Sequence, residues 1–231
     1  MKFLMKILFV MIFGLPSFTL LAGVIVGGTR VVYDASKREA SLSVRNTDNT
    51  PYLIQSWVDA NGPTGTVKAG KTAFLVTPPV FRLEAGDENL LRIILTAENF
   101  PSDRESIFWL NVKAIPASVK TNKNILQISI KSRMKLFYRP GGLDPRPEDS
   151  FSTITFHRQG EKIFVTNPTP YYVTFFSFKL GGVPVKTLNV MLGPKNTTVY
   201  DVPKLSSGNQ IRWQAINDYG GSSTEIVTAL Q

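Results

Sequence analysis

The chain has no cysteine and a single histidine, His157, among its 231 residues. Without cysteine there is no disulfide, no thiol nucleophile and no thiolate metal site. One histidine cannot build a His-rich metal centre, nor serve a Ser-His-Asp triad with ligands to spare; within FHRQG it reads as a surface or strand residue. Beyond the first 22 residues no apolar run is long enough to span a bilayer as a helix. No long amphipathic helical pattern is present either. Dense basic runs and nucleic-acid motifs are missing, which argues against a nucleic-acid partner. A protein so composed must be held together by its apolar core, and roughly 209 residues after the first 22 suffice for one or two cores.

Residues 1–22, MKFLMKILFVMIFGLPSFTLLA, place Lys2 and Lys6 ahead of an apolar stretch broken by Gly14 and Pro16, with Ala22 as a small residue at a cleavage point. This predicts a cleavable secretory signal peptide and a mature chain that begins near Gly23 outside the cytoplasm. The formal charge is +9, and without the two lysines of the leader it is +7. Such an excess favours partners with acidic surfaces or free carboxylates, and it also serves solubility.

After the leader the chain reads as short strands and turns. Val24–Val26 and Thr29–Tyr33 look like one first strand interrupted at Gly27-Gly28. Ser41–Arg45, Tyr52–Val58 with Trp57 as a candidate for burial, Leu90–Leu95 and Ile107–Val112 continue the series. Asn61–Gly70 is a Gly/Pro-containing loop, and Thr77-Pro78-Pro79 is a sharp break in which one proline bond is a candidate for cis. Lys113–Lys123 is a short link into the most informative stretch, Lys123–Pro140, KNILQISIKSRMKLFYRP. There Leu126, Ile128 and Ile130 alternate with polar residues, and a basic and aromatic half comes next, ended by Pro140 and Gly141-Gly142. This is either an ordinary strand whose apolar row faces its own core, or a strand that offers that row and its cationic end to an extended peptide with a negative terminus.

About seven strands precede Pro140, at the spacing of an immunoglobulin-like sandwich. Gly141–Asp149, GGLDPRPED, is a polar, proline-bearing linker. After it the pattern restarts with Phe151–Phe156, Lys162–Thr166, Tyr171–Leu180, Val185–Met191, Thr197–Val202, Gln210–Asn217 and Glu225–Leu230. The expectation is an all-β chain of two sandwich domains, 23–140 and 146–231.

The segments GTRVVYD (28–34), PYLIQSWVD (51–59), TPPVFRLE (77–84), DRESIFWLN (103–111), LQISIKSRMKLFYRP (126–140), NPTPYYVT (167–174) and INDYGG (216–221) resemble the periplasmic pilus-assembly chaperones of the chaperone–usher pathway. The resemblance covers nearly all of the chain after the leader, in order. It implies two immunoglobulin-like domains set at an angle around a cleft. It implies that the protein binds fimbrial subunits, lends them a strand, and delivers them to an outer-membrane usher, with no catalysis, cofactor, metal or small-molecule substrate. Leu126, Ile128 and Ile130 then become knobs for the subunit's groove. Arg30 and Lys135 match the pair that grips the subunit's terminal carboxylate. Glu105, Arg139 and Asp218 match an interdomain ion-pair network. The short link places the chain with the short-loop group, and the cysteine pair that some relatives carry near the C-terminus is missing here.

Strict alternation sets Lys135 on the face opposite Leu126, Ile128 and Ile130, so the resemblance requires a bend or bulge near Ser132 or an edge-on approach. Two other classes fit the same strand pattern. A secreted two-domain adhesin or binding module would bury the apolar row and bind through loops. An exported enzyme on a sandwich would need catalytic groups, and nothing marks Asp103 and Glu105 as a catalytic pair.

Overall fold

The computed structural model describes residues 23–60, 73–97, 99–118, 124–187, 190–204, 206 and 208–231. The leader, the Asn61–Gly70 loop and part of the 113–123 link lie outside the described residues.

The described residues form two β-sandwiches. In the first, one sheet has the order β1 (Val24–Val26), β3 (Ala40–Asn46), β7 (Glu88–Leu95), β5 (Phe74–Thr77). The facing sheet has the order β2 (Arg30–Asp34), β9 (Ile130–Arg139), β8 (Ser106–Pro116), β4 (Tyr52–Asp59), β6 (Val80–Leu83). Neighbours are antiparallel except β2 and β9, which run parallel. Alternation turns Leu42, Val44, Ile54, Phe74, Leu91, Ile93, Leu110 and Leu136 into one core. Phe74 sits edge-on to Tyr33 and Phe108 at its centre.

The first strand expected from sequence is two strands in different sheets. The chain changes sheets at Gly27-Gly28, where the Gly27 N–H donates to the Ser43 carbonyl. A Cβ at Gly27 would crowd the Ser43 side chain, so glycine lets the chain pass close to β3 here, and the crossing brings Arg30 beside β9. The Thr77-Pro78 bond is cis. Trp57 is only half-buried, because it lies on the outward face of β4, between the inward residues Ser56 and Val58. The tryptophan that is buried is Trp213.

The long strand is shorter than its alternation predicts. Residues 124–129 have no strand assignment, and β9 starts at Ile130, opposite Ala114. Pairing stops there because β8 ends at Pro116, which has no N–H to give, and no described strand flanks the other edge. Lys113–Pro116 belong to β8 through pairs with Tyr52–Gln55, so the link to β9 is 117–129 rather than 113–123.

The second sandwich opens with a short helix α1 (Pro147–Ser150) and a 3-10 turn over Phe151–Thr153, where the sequence suggested strand. Pro147 suits the first helical turn, and the Ser150 and Thr153 hydroxyls donate back to the Pro147 and Ser150 carbonyls. One sheet is β10 (Thr155–Gln159), β11 (Lys162–Asn167), β14 (Asn196–Asp201). The other is β13 (Val183–Pro184), β12 (Phe175–Leu180), β15 (Gln210–Ala215), β16 (Ile226–Ala229). Near the expected 185–191 run, Val183–Pro184 are strand among the described residues, while Val185 is buried in the core and Val190 is exposed. Phe156, Ile163, Phe178 and Trp213 centre this second core. His157 is exposed on β10.

Candidate functional site

The site is organised by the register of β9. It pairs without interruption with β8 from Ile130 to Tyr138, whereas β2 covers its other edge only from Lys135 to Arg139. Among the described residues no strand pairs with the remaining edge, Ile130–Met134. Its N–H and C=O groups are a template for an added strand. The register contains no bulge at Ser132, so Ile130 shares the inward face with Met134 and Leu136, and Lys135 lies on the outward face. Of the alternatives the alternation left open, this register excludes a bulge at Ser132.

Met134 and Leu136 are core residues. Ile130 continues their row past the end of the core and is 63% exposed; Ile128 is 65% and Leu126 88% exposed. Beneath Ile128 and Ile130 is a crevice of about 40 Å³ bordered by Val24, Val26, Tyr52 and Val112. An exposed apolar row of this kind is typical of an interaction surface.

Where β2 takes over the edge, Arg30 stands opposite Lys135 in the parallel register. Arg30 Nη1 donates to the Ile216 carbonyl at 3.1 Å, its guanidinium lies 5.7 Å from the Phe137 ring centre, and its Nε is buried without a partner. Lys135 Nζ donates to Thr174 Oγ1 at 3.2 Å. Among the described residues neither cation is bonded to a carboxylate. Burial, reinforced by Arg30, lowers the Lys135 ammonium to about 8. Burial also lowers Arg30, against the fields of Asp218 and Glu105. Two half-buried like charges side by side form a place where an anion would be stabilised.

Arg139 lies four residues along the same outward row. Its Nε donates to Glu105 Oε1 at 2.7 Å, and its Nη1 and Nη2 donate to the two Asp218 oxygens at 2.6 and 2.8 Å. Glu105 is 3% exposed, and its second oxygen accepts the Tyr172 N–H at 2.8 Å. Burial raises the Glu105 carboxyl, and Arg139 only partly offsets it. Arg139 is itself raised: burial opposes its charge, but the bonds and fields of Asp218 and Glu105 exceed that opposition. The structure thus brings Glu105, Arg139 and Asp218 into one contact, and Arg30 and Lys135 into another.

Several contacts at this junction leave no trace in a linear reading. The Glu105 N–H donates to the Pro170 carbonyl, Arg139 lies over the Tyr171 ring, and Phe137 meets the Tyr172 ring. Lys195 pairs with Asp103. Gly220 closes against Thr29, where a Cβ would lie 2.4 Å from Thr29 Oγ1. Together with Arg30, Phe137, Tyr171, Ile216 and Tyr219, the network lines a cleft of about 540 Å³ between the two sandwiches. Equally hidden from the sequence is a cluster in which Arg133 grips Asp59 with both nitrogens, touches Asn111 and lies over Trp109. They come from three separate strands, Asp59 on β4, Trp109 and Asn111 on β8 and Arg133 on β9, joined by strand register.

Residues 23–144 match the model described as pili and flagellar-assembly chaperone, PapD N-terminal domain, and residues 149–227 match that of the pili assembly chaperone PapD, C-terminal domain. The chain is 41% identical over 221 residues to the probable fimbrial chaperone LpfB of Escherichia coli O157:H7, covering 90% of this chain and 89% of the relative. It is 40% identical over 215 residues to the chaperone protein FimC of Escherichia coli K12, covering 91% and 86%. Among solved structures, a chain of the Salmonella enterica SafA pilin in complex with the SafB chaperone aligns with a TM-score of 0.81 and 37% identity, over 94% of this chain and 100% of that one. With both halves matched in order and relatives covered almost end to end, the chain belongs to the PapD family of pili assembly chaperones.

Proposed function

We propose that this protein is a periplasmic, non-enzymatic chaperone that captures pilus subunits by adding β9 to them, and then hands them to an outer-membrane usher. The observation that carries the reading is the half-covered edge of β9. It has an exposed apolar row at one end and, where the edge closes, two half-buried cations with no bonded carboxylate among the described residues. Main-chain bonds along Ile130–Met134 supply adhesion, and Leu126, Ile128 and Ile130 fill pockets of an incomplete subunit. Chaperone–pilin pairing is a standing example of this mode of recognition. Arg30 and Lys135 hold the subunit's terminal carboxylate, which sets the position of its last strand and hence its register. Residues 23–140 and 146–231 act as the two domains, held at their angle by Glu105, Arg139 and Asp218.

Co-expression with pilus subunits in a bacterial periplasm tests the reading: the wild-type chain should protect subunits from degradation. Ile128→Glu supplies the control. Because Ile128 is 65% exposed, its replacement should shift stability by no more than about 0.5 kcal/mol. A carboxylate entering an apolar groove should nonetheless abolish protection. Unchanged protection, or an unfolded Ile128→Glu protein, would show that this row is not what the subunit reads.

The depressed Lys135 ammonium adds a pH dependence. A carboxylate prefers the protonated lysine, so the bound state holds its proton to higher pH than the free state. Capture should be level below about 8 and weaken as pH rises above it, with a limiting slope of about tenfold per pH unit. Binding measured between pH 7 and 10 checks this, and Lys135→Arg should move the fall out of that range. The same shift acts on stability in the opposite sense. The unfolded lysine binds protons up to about 10.4, so the cost of burying the free ammonium is relieved as pH rises from about 8.

A further inference from the structure

We infer that Lys131, backed by Lys113, is a register-selecting charge site that takes an acidic side chain on the outward face of the subunit's added strand; this rests on the strand-addition reading above. Successive rows cross the outward face of the five-stranded sheet. Asp59, Trp109, Lys135 and Arg30 form one row, and Trp57, Asn111 and Arg133 the next. Gln55, Lys113 and Lys131 form the third. The charge in the middle row is matched within the protein, since Arg133 holds Asp59 at 2.7 and 3.0 Å. The third row is different. Lys131 stands directly opposite Lys113, and among the described residues neither has an ion-pair partner.

Like charges directly opposite one another destabilise a sheet. They are tolerable at an edge that another strand will cover, and that is where Lys131 lies: its far side is the open edge Ile130–Met134. Because the inward row enters the subunit's groove, the outward row must share the outer surface of the subunit's sheet. The side chain that the added strand sets beside Lys131 is then its cross-strand neighbour. An Asp or Glu there completes the row Gln55, Lys113, Lys131 with the charge it lacks. A one-residue slip of the added strand would turn that acid to the other face, so the pair reports register at a point separate from the carboxylate clamp. A second copy of this chain is a poor occupant, since it would set cations against cations.

The test uses full-length chaperone and a subunit that the wild type protects in the periplasm. Lys131→Glu should weaken capture about tenfold and Lys131→Ala about two- to fivefold. Both should melt no lower than wild type, because each removes the like-charge pair. Raising salt should weaken wild-type capture more than that of Lys131→Glu. Reversing one outward-facing acid of the added subunit strand to Lys should restore capture by Lys131→Glu. Wild-type affinity and salt dependence in Lys131→Glu would overturn the inference and leave the strand-addition reading intact, as would a loss that no acid reversal restores. Binding of the wild type, but not of Lys131→Glu, to phosphatidylglycerol vesicles with subunit capture unchanged would reassign the site to a lipid surface. If the wild type protects no subunit, the strand-addition reading fails, and this inference with it.

Discussion

Arg30→Ala should abolish subunit capture while leaving the chaperone folded. The guanidinium is half-buried, keeps an unpartnered Nε, and shares its site with Lys135, so the free protein bears the cost of two neighbouring cations. A bound carboxylate removes that cost and gains charge-assisted hydrogen bonds. Losing one partner of such a contact costs about 2–5 kcal/mol, or roughly thirtyfold to several thousandfold in affinity. Among the described residues the Arg30 side chain supplies one hydrogen bond, to the Ile216 carbonyl, and a contact with the Phe137 ring. Its removal should therefore change folding stability by no more than about 1 kcal/mol. Pull-down of subunits measured beside a denaturant titration separates the two effects. Normal subunit recovery with a folded Arg30→Ala protein would sink the clamp.

Arg139→Ala should be the most destabilising change at the junction. Among the described residues it leaves the Glu105 carboxylate, 3% exposed, with the Tyr172 N–H as its one bonded partner, and it releases Asp218. Stranding a buried charge costs about 3–5 kcal/mol. Asp218→Asn should cost far less, about 1 kcal/mol or below, because the Asp218 side chain is 38% exposed and water takes up the loss. Glu105→Gln placed on top of Arg139→Ala should recover much of the stability by removing the orphaned charge. The pH dependence gives an independent check. Burial already raises the Glu105 carboxyl, and removing Arg139 raises it further, so the folded state takes up a proton more readily than the unfolded one. Stability of Arg139→Ala should then rise as pH falls from neutrality through the raised folded value, and level off below the unfolded value of about 4.3. Denaturant unfolding at several pH values, with small-angle scattering for the angle between the sandwiches, measures both. Wild-type stability and shape in Arg139→Ala would leave interdomain packing, such as Gly220 on Thr29, to set the angle alone.

The division between what was legible and what was not comes from locality. Period-two alternation marked Ser41–Arg45, Tyr52–Val58 and Gln210–Asn217 to within a residue or two of the observed strands, since inward and outward residues must differ where one face meets a core. Alternation failed where side chains carry the pattern but no neighbour supplies the hydrogen bonds. Residues 124–129 alternate like a strand, yet the partner ends at Pro116. It failed also at Phe151–Thr153, where the Thr153 hydroxyl bond to the Ser150 carbonyl and the Ile154 N–H bond to the Phe151 carbonyl close a helical turn.

By itself, the amino-acid sequence determined the all-β character, the two successive cores, and which residues carry charge. It also supplied motifs specific enough for the resemblance to point at Arg30, Lys135, Glu105, Arg139 and Asp218. Only the tertiary structure decided which of those charges meet. Glu105 touches Arg139 across 34 positions and Asp218 touches it across 79, while Arg30 reaches Lys135 through a parallel pairing that no local pattern encodes. The structure alone also decided that no bulge interrupts the alternation between Ile130 and Lys135, and that among the described residues no strand pairs with the edge Ile130–Met134. Faces, edges and charge balance are properties of neighbours, and long-range strand register chooses the neighbours.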